Sequence, residues 1–563
     1  MSKLTLTTLS LFIISLSLSA QDFDALNDQA YTERGNKNYQ KAIDLCTQAI
    51  NKKVNARSYI IRADCRYTLN DFLSALDDFN SAITNYYDYY GSDNKEKAGI
   101  YYYLGRCKQK LQRYSEAISD FNSALSYNYS EAGYAYWNRG ACYYDLGKYK
   151  DAEDDYTKAI DRISSNEDLS SLYESRGDCQ AMLGNYATSY SLYARAINYN
   201  SKNYNPYWQM GHYKGQEYKY EEALADFNKA IDIINAGGSG ASSNDLAILY
   251  RNKAIMLKSL KKYDDAITAI NKAIETDPNM AKTYRIRAEI YSATKKYDKA
   301  KADYENSITL ESVKKTKADM YMDRSIMEWN VLDYKSCLDD LNKAIENDPD
   351  DGMNFWHRSL VYGYKRNYQQ AIKECNAAMD LYKTDSSSTA SLYWLRANHK
   401  EKTGDYQGAI EDYQNYLKYY PNSYSVYYEM GRLFKTKLKN NDLADANLSK
   451  ALALSEKNGD TTKSCYIKLI KGDKDNAIKA MLQVVELTPK TDDYYYKWNF
   501  HNMACIYALA GNTAKAFEYL DKSLAAGYDD YLHLVNDRDL LTLMDLPQWK
   551  TVLAKYKVPQ PKL

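Results

Sequence analysis

Nine cysteines and five histidines are the side chains of this 563-residue chain best suited to metal binding, redox chemistry or nucleophilic attack. The histidines, His212, His357, His399, His501 and His533, share no metal-like spacing with one another or with the cysteines. Cys65, Cys107, Cys142 and Cys179 recur in runs that otherwise look alike, which reads as small buried residues rather than a disulfide framework. An isolated bridge such as Cys46 to Cys65 stays open, and the odd count leaves one thiol free. No nucleophile elbow, phosphate loop or dinucleotide fingerprint is present, and "GGSGASS" has the spacing of none of them. The expectation is a non-enzymatic protein without cofactor or metal.

A second pattern is electrostatic. An arginine and an acid stand sixteen residues apart six times: Arg62/Asp78, Arg139/Asp155, Arg287/Asp303, Arg324/Asp340, Arg358/Glu374 and Arg396/Asp412. These read as ion pairs between helices. As partly exposed pairs each would contribute about 1 kcal/mol or less.

The elements that position these residues follow from a repeat. Two small residues twelve apart recur fourteen times, from Ala30/Ala42 and Ala63/Ala75 through Gly140/Ala152 to Ala504/Ala516, with starts 33 to 43 residues apart. With the first small residue numbered position 8, position 4 is aromatic in twelve repeats and position 17 in the first eleven. Positions 4 and 8 share one helical face, as do 20, 24 and 27 on a second helix, so broad rings alternate with slim residues where two helices meet. Prolines fall between helix-like runs or in the tail, which makes the chain all-α.

This pattern resembles the tetratricopeptide repeat, a 34-residue helix–turn–helix unit, over nearly all of the chain. The resemblance implies a right-handed α-solenoid superhelix of about fourteen units, in which stacking supplies the core. The twelfth repeat needs a one-residue insertion before Ala444, and the thirteenth, with Thr461 and Lys474 where rings belong, is expected to have a short or distorted first helix. The tail from Asn536 to Leu553 resembles the helical closure of many bacterial arrays. The expected organisation is a signal peptide over 1–20, a first block of about six repeats over 21–234, a Gly/Ser-rich loop or hinge at 235–245, a second block of about eight repeats over 246–530, and a helical cap and tail over 531–563.

In this family the inner surface is lined by positions 2, 5, 9, 12 and 13 of each first helix. Carried over, these positions hold six of the seven tryptophans: Trp137, Trp208, Trp329, Trp356, Trp394 and Trp498. Tyr134, Tyr144, Met322, Met353 and Tyr428 join them, and Arg251, Lys258, Lys282 and Arg285 form a basic stretch between the aromatic zones. The resemblance implies a groove that takes an extended peptide or protein partner, rings holding side chains and cations holding carboxylates. Tryptophan faces also stack on sugars, so a carbohydrate-binding module is the alternative, and a purely structural spacer the third reading. The family's carboxylate clamp for chaperone C-termini is not met, since Arg285 is followed by Glu289 and Asn398 stands beside Trp394.

Composition narrows the setting. Lysine plus arginine equal aspartate plus glutamate at 74 each, so no net field favours nucleic acid or an anionic membrane. The apolar run from Leu4 to Leu18 behind Lys3 is too short to span a bilayer and suits a secretory signal cut near Ala20. The expected protein is therefore an exported scaffold without a transmembrane segment in its mature chain, periplasmic or at the cell surface.

Overall fold

The computed structural model describes residues 23–87, 94–238, 240–382 and 386–559. The signal peptide expected at 1–20 lies outside them, as does the middle of the long connection after the second repeat. The described residues form no strand, and every one of the fourteen expected repeats is a pair of helices. Repeat 4, for example, pairs Ala132–Asp145 with Tyr149–Ile160, and repeat 11 pairs Ser386–Thr403 with Tyr406–Tyr419. The first helix of repeat 13, Thr461–Lys471, has only 11 residues and ends at Gly472 in the left-handed conformation (φ 101°). No described helix is long and apolar enough to cross a membrane.

The chain divides into two compact units, residues 1–278 with repeats 1 to 7 and residues 279–563 with repeats 8 to 14 and the tail. The Gly/Ser-rich loop lies inside the first unit, where the helices that flank it, Tyr220–Asn235 and Ser243–Ser259, pack against each other.

The small residues stand where bulk would collide. A Cβ on Gly105, Gly140, Gly177 or Gly211 would lie 2.8, 2.9, 2.7 or 2.8 Å from a ring atom of Phe121, Tyr156, Tyr193 or Phe227, so each glycine lets a ring of the second helix lie flat on the first. Second helices bury positions 20, 24 and 27, as in Ala152, Tyr156 and Ala159, which gives each an apolar stripe against its partner. At the turn of repeat 4, Tyr149 packs edge-on to Tyr144 at 5.3 Å. Caps close many of these helices: Asp71, Asp333 and Asp405 each accept a hydrogen bond from the backbone N–H three residues on.

Each repeat turns between its helices through one left-handed residue, with φ from 56° to 101°; five of the fourteen are glycine and nine carry a side chain. Tyr218, at φ 62° and 78 % exposed, is one of the nine. A side chain in this region costs about 1–2 kcal/mol, partly offset by the extra chain entropy glycine loses on folding. Tyr218→Gly should therefore raise the urea-unfolding stability of the first unit by about 0.5–1 kcal/mol.

All six sixteen-residue pairs form, with nitrogen–oxygen distances of 2.6 to 3.0 Å. Each guanidinium also lies over the ring at position 4 of its own repeat, at 5.3 to 5.6 Å. In five cases its remaining nitrogen reaches position 25 of the preceding repeat, at Thr47, Asn122, Glu305, Asn342 or Asn376. The acids are only 2 to 5 % exposed, so the pairs are more buried than the sequence suggested, and breaking one leaves a charge stranded in the core. Repeats 3 and 6 lack the arginine and use another cation, Lys108 on Asp120 and Lys214 on Asp226, at 2.7 and 2.8 Å. The acid without its arginine was the available sequence signal for that substitution.

All nine cysteines are buried as free thiols, Cys46 and Cys65 included. Burial pushes their pKa values up, to about 12 for Cys46 and about 11 for Cys65.

Candidate binding groove

Successive first helices meet within each unit, several along the backbone and the others through side chains such as Arg285 with Asp323 and Arg432 with Glu401, so they form a wall. In the first unit Trp137 stacks on Tyr134 with centroids 6.2 Å apart, and Trp208 on Tyr204 at 6.5 Å. The Tyr134 hydroxyl donates to Asp168 at 2.8 Å. Tyr134, Trp137, Trp208 and Tyr144 are half-buried and pack on the core beneath, to which Tyr204 itself belongs. Between the two tryptophans, position 5 of repeat 5 is an acid. Burial pushes Glu174 up to about 7, against a hydrogen bond from Asn203 at 2.9 Å. Position 9 of the same helix, Asp178, is pushed up to about 6 by burial, against a bond from the Tyr193 hydroxyl. Sequence reasoning passed over both acids, although the repeat numbering placed them on the wall. Arg251 is half-buried with no ion-pair partner among the described residues, and burial lowers its pKa. Lys258 is half-buried.

The expected basic stretch divides at the boundary between units, and its second half is largely neutralised. Lys282 is exposed, whereas Arg285 meets Asp323 at 2.5 Å and Glu289 at 3.6 Å. Asp323 is buried deeply enough that its pKa rises to about 6 despite that arginine. Further along the second unit, Met322 and Trp329 pack on one core cluster, with Trp329 edge-on to Tyr364 at 4.7 Å. Met353 is exposed, and Trp356 is half-buried against Cys375 and Leu392.

Two expected groove residues line no open wall. Tyr428 is 2 % exposed and belongs to the core, and Trp498 is packed against Tyr528 at 4.9 Å and His533 at 5.4 Å. The cause is the tail. After repeat 14 the chain makes a short helix, Tyr531–Asn536, and a 3-10 turn, Arg538–Leu540, that lie on the first helices of repeats 12 to 14. Arg538 donates to Glu429 of repeat 12 at 2.5 Å, and Arg432 donates to the other oxygen of the same carboxylate at 3.0 Å. Burial alone would push Glu429 up, but the charges of Arg538 and Arg432 outweigh it and set its pKa at about 2.

Between this tail and the first helices of repeats 10 to 13 lies a cavity of about 890 Å³. Trp394, Tyr364, Tyr368 and His399 supply rings, Arg366, Lys402 and Lys463 cations, and Asn536 to Asp539, Arg538 included, its far side. Neither Arg366 nor Lys402 has an ion-pair partner among the described residues. Burial, reinforced by the charges of Arg538, Arg432 and Arg366 and only partly offset by Glu401, pushes the Lys402 ammonium down. His399 is buried beside Ser359, and burial lowers its pKa to about 4. The cavity is thus a partly apolar recess lined by charges of both signs, Glu401, Glu429, Asp537 and Asp539 among them, in which Arg366 and Lys402 stand outside any described ion pair. The repeat numbering places Lys402 at wall position 13 of repeat 11, whereas Arg366 stands in the turn of repeat 10, where no wall position marked it.

Family models described as tetratricopeptide repeat match residues 94–167, 248–280, 281–313, 391–423 and 466–491. The chain is built of tetratricopeptide repeats. Such arrays are protein-interaction scaffolds, and that is the class of function the repeats assign. Human "DnaJ homolog subfamily C member 7" is 33 % identical over 113 residues, 20 % of this chain and 20 % of that one. Mouse "Tetratricopeptide repeat protein 16" is 24 % identical over 258 residues, 41 % of this chain and 32 % of its own length. The tetratricopeptide chain thus spans no more than about a third of the curated relatives it matches. Among solved structures, the C-terminal part of a tetratricopeptide protein from Cytophaga hutchinsonii is 19 % identical with a TM-score of 0.35, covering 51 % of this chain and 98 % of its own. Yeast Tom70 is 14 % identical with a TM-score of 0.36, covering 82 % and 95 %.

Proposed function

We propose that the protein is an exported, non-enzymatic scaffold that takes an extended acidic peptide against the first-helix wall of its second unit. The observation that carries this reading is the cavity beside Trp394. An apolar side chain of the partner would lie on the Trp394 ring, and a neighbouring carboxylate would meet Arg366 and Lys402. Support comes from the chain's own tail, whose "NDRDL" segment rests on the adjoining stretch of the same wall and buries Asp537 and Leu540 there. In the first unit, the half-buried tryptophans and the unpaired Arg251 offer a second, shallower wall of the same chemistry. Export, to a periplasm or cell surface, rests on the apolar run from Leu4 to Leu18.

Selection of a displayed random-peptide library on the full chain, followed by calorimetry on the winning peptides, tests the reading. The selected sequences should pair acidic with apolar residues, and Trp394→Ala should weaken them at least tenfold, as removal of a buried aromatic anchor does. Lys402→Ala should weaken them less, and the more so at low salt. Peptides that bind both variants as well as the natural chain would refute the groove. Binding to a glycan array that depends on Trp394, without peptide binding, would put a sugar in its place.

A further inference from the structure

Four side chains that could ligate a metal meet where the tail crosses repeat 14. His501 and Cys505 are one turn apart on the first helix of that repeat, at positions 5 and 9 of the wall. His533 and Asp537, also four residues apart, come down on them from the tail. The Asp537 Oδ2 atom lies 2.8 Å from His501 Nε2, 3.4 Å from Cys505 Sγ and 3.4 Å from His533 Nε2. Cys505 Sγ is 3.6 Å from His501 Nε2. The His501, Cys505 and Asp537 ligand atoms are all within 4.8 Å of one another, and the three residues are buried.

As a plain hydrogen-bond cluster this arrangement is crowded. Three donors converge on one carboxylate oxygen, whose partner oxygen is already taken by the Asp539 N–H at 2.9 Å. A tetrahedral ion with bonds of 2.0 to 2.3 Å sets its ligand atoms about 3.3–3.8 Å apart. Three of these four distances fall in that range, and the fourth opens by about half an ångström once an ion rather than a proton lies between the pair. His533 is near Asp537 but outside the mutually close trio, and its half-exposed side chain must turn inward to complete the set. Burial works against an ionised Asp537, but hydrogen bonds from His501 and His533 outweigh it and hold the carboxyl well below its usual range. The Tyr528 ring, stacked on His501 at 4.7 Å, fixes the imidazole in place.

The geometry points to a zinc-class site in which His501, Cys505 and Asp537 are three ligands, His533 is the fourth, and the ion pins the tail to the last repeat. The donor set, two imidazoles with one thiolate and one carboxylate, suits zinc and admits cobalt(II). Burial raises the Cys505 thiol well above its ordinary value, so binding must displace its proton: the sulfur–hydrogen bond breaks, a sulfur–metal bond forms and that proton leaves to solvent, while each neutral imidazole binds through Nε2 with its proton moved to Nδ1.

The test is cobalt(II) titration of the full chain after stripping with a chelator. About one ion should bind per chain, with a thiolate-to-cobalt charge-transfer band and the intense visible bands of tetrahedral cobalt, both erased by zinc. Cys505→Ser should abolish the charge-transfer band, and His533→Ala, whose side chain is 45 % exposed and so removable with the fold intact, should weaken binding at least tenfold. Zinc should raise the melting temperature of the natural chain and protect its tail from proteolysis. Cobalt binding that is absent, or equal in the natural chain and in Cys505→Ser and His533→Ala variants with unchanged circular dichroism, would overturn the site.

Discussion

Asp340→Ala should destabilise the second unit by about 3–5 kcal/mol, the loss that follows when one member of a buried ion pair is removed. Asp340 and Arg324 are 4 % and 7 % exposed, and two guanidinium nitrogens meet the two carboxylate oxygens at 2.6 and 2.7 Å. Alanine would strand that guanidinium among Tyr321, whose ring lies 5.6 Å below it, and Glu305 of the preceding repeat, the one charge left to answer it. The damage should reach both repeats, because the arginine joins them. Removing both charges is a different matter. Arg324→Met with Asp340→Leu should recover most of the loss, since well-packed apolar side chains replace a buried pair at little cost. Urea unfolding of the natural chain, Arg324→Met, Asp340→Leu and the double variant closes a cycle that measures the coupling; a loss below about 1 kcal/mol in Asp340→Ala would mean that the pair behaves as a surface bridge.

Glu429→Ala should free the tail from the wall and remove an acid-sensitive part of the second unit's stability. The carboxylate is 4 % exposed between Arg432 and Arg538, so its loss leaves two half-buried guanidinium groups facing each other. Its folded pKa, about 2, is below its ordinary 4.5. A carboxylate held down in this way stabilises the fold fully above 4.5, and that contribution fades as pH falls from 4.5 through 2. The gap corresponds to about 3 kcal/mol. Natural chain and variant should therefore differ most at neutral pH and converge near pH 2. The variant's tail should also be cut near residues 531–545 at protease concentrations that spare the natural chain. Equal cleavage and parallel pH profiles would show that Glu429 does not hold the tail.

The repeat was legible because it is written in side-chain size. Gly140 and Ala152 announce the close approach, and Tyr156 needs the room that Gly140 leaves. The arginine–acid pairs were legible for the same reason: a spacing of sixteen within a known helical hairpin brings two side chains to one place. Their depth was not, because burial depends on the rings at position 4 and on neighbours in the preceding repeat. The wall was legible in part. Trp394 faces a cavity, whereas Tyr428 and Trp498 lie beneath a tail whose path is fixed by contacts such as Arg538 with Glu429, 109 residues apart. A separation of 36 residues, between His501 and Asp537, hid the metal-like cluster. His501 with Cys505, and His533 with Asp537, are each ordinary helical neighbours, and only the returning chain brings the two pairs face to face.

Helix Pro547–Lys555 lays Trp549 and Leu553 over the outer helix of repeat 14, and Lys555 and Tyr556 fasten it to Asp521. A fifteenth hairpin would need that same apolar surface, so the tail acts as a full stop. Each hairpin touches chiefly its neighbours, and duplications can therefore lengthen or shorten the series upstream without disturbing the terminator. Hairpins added or removed upstream leave the tail's contacts untouched, whereas the last three hairpins and the segment that crosses them can be exchanged only as one piece.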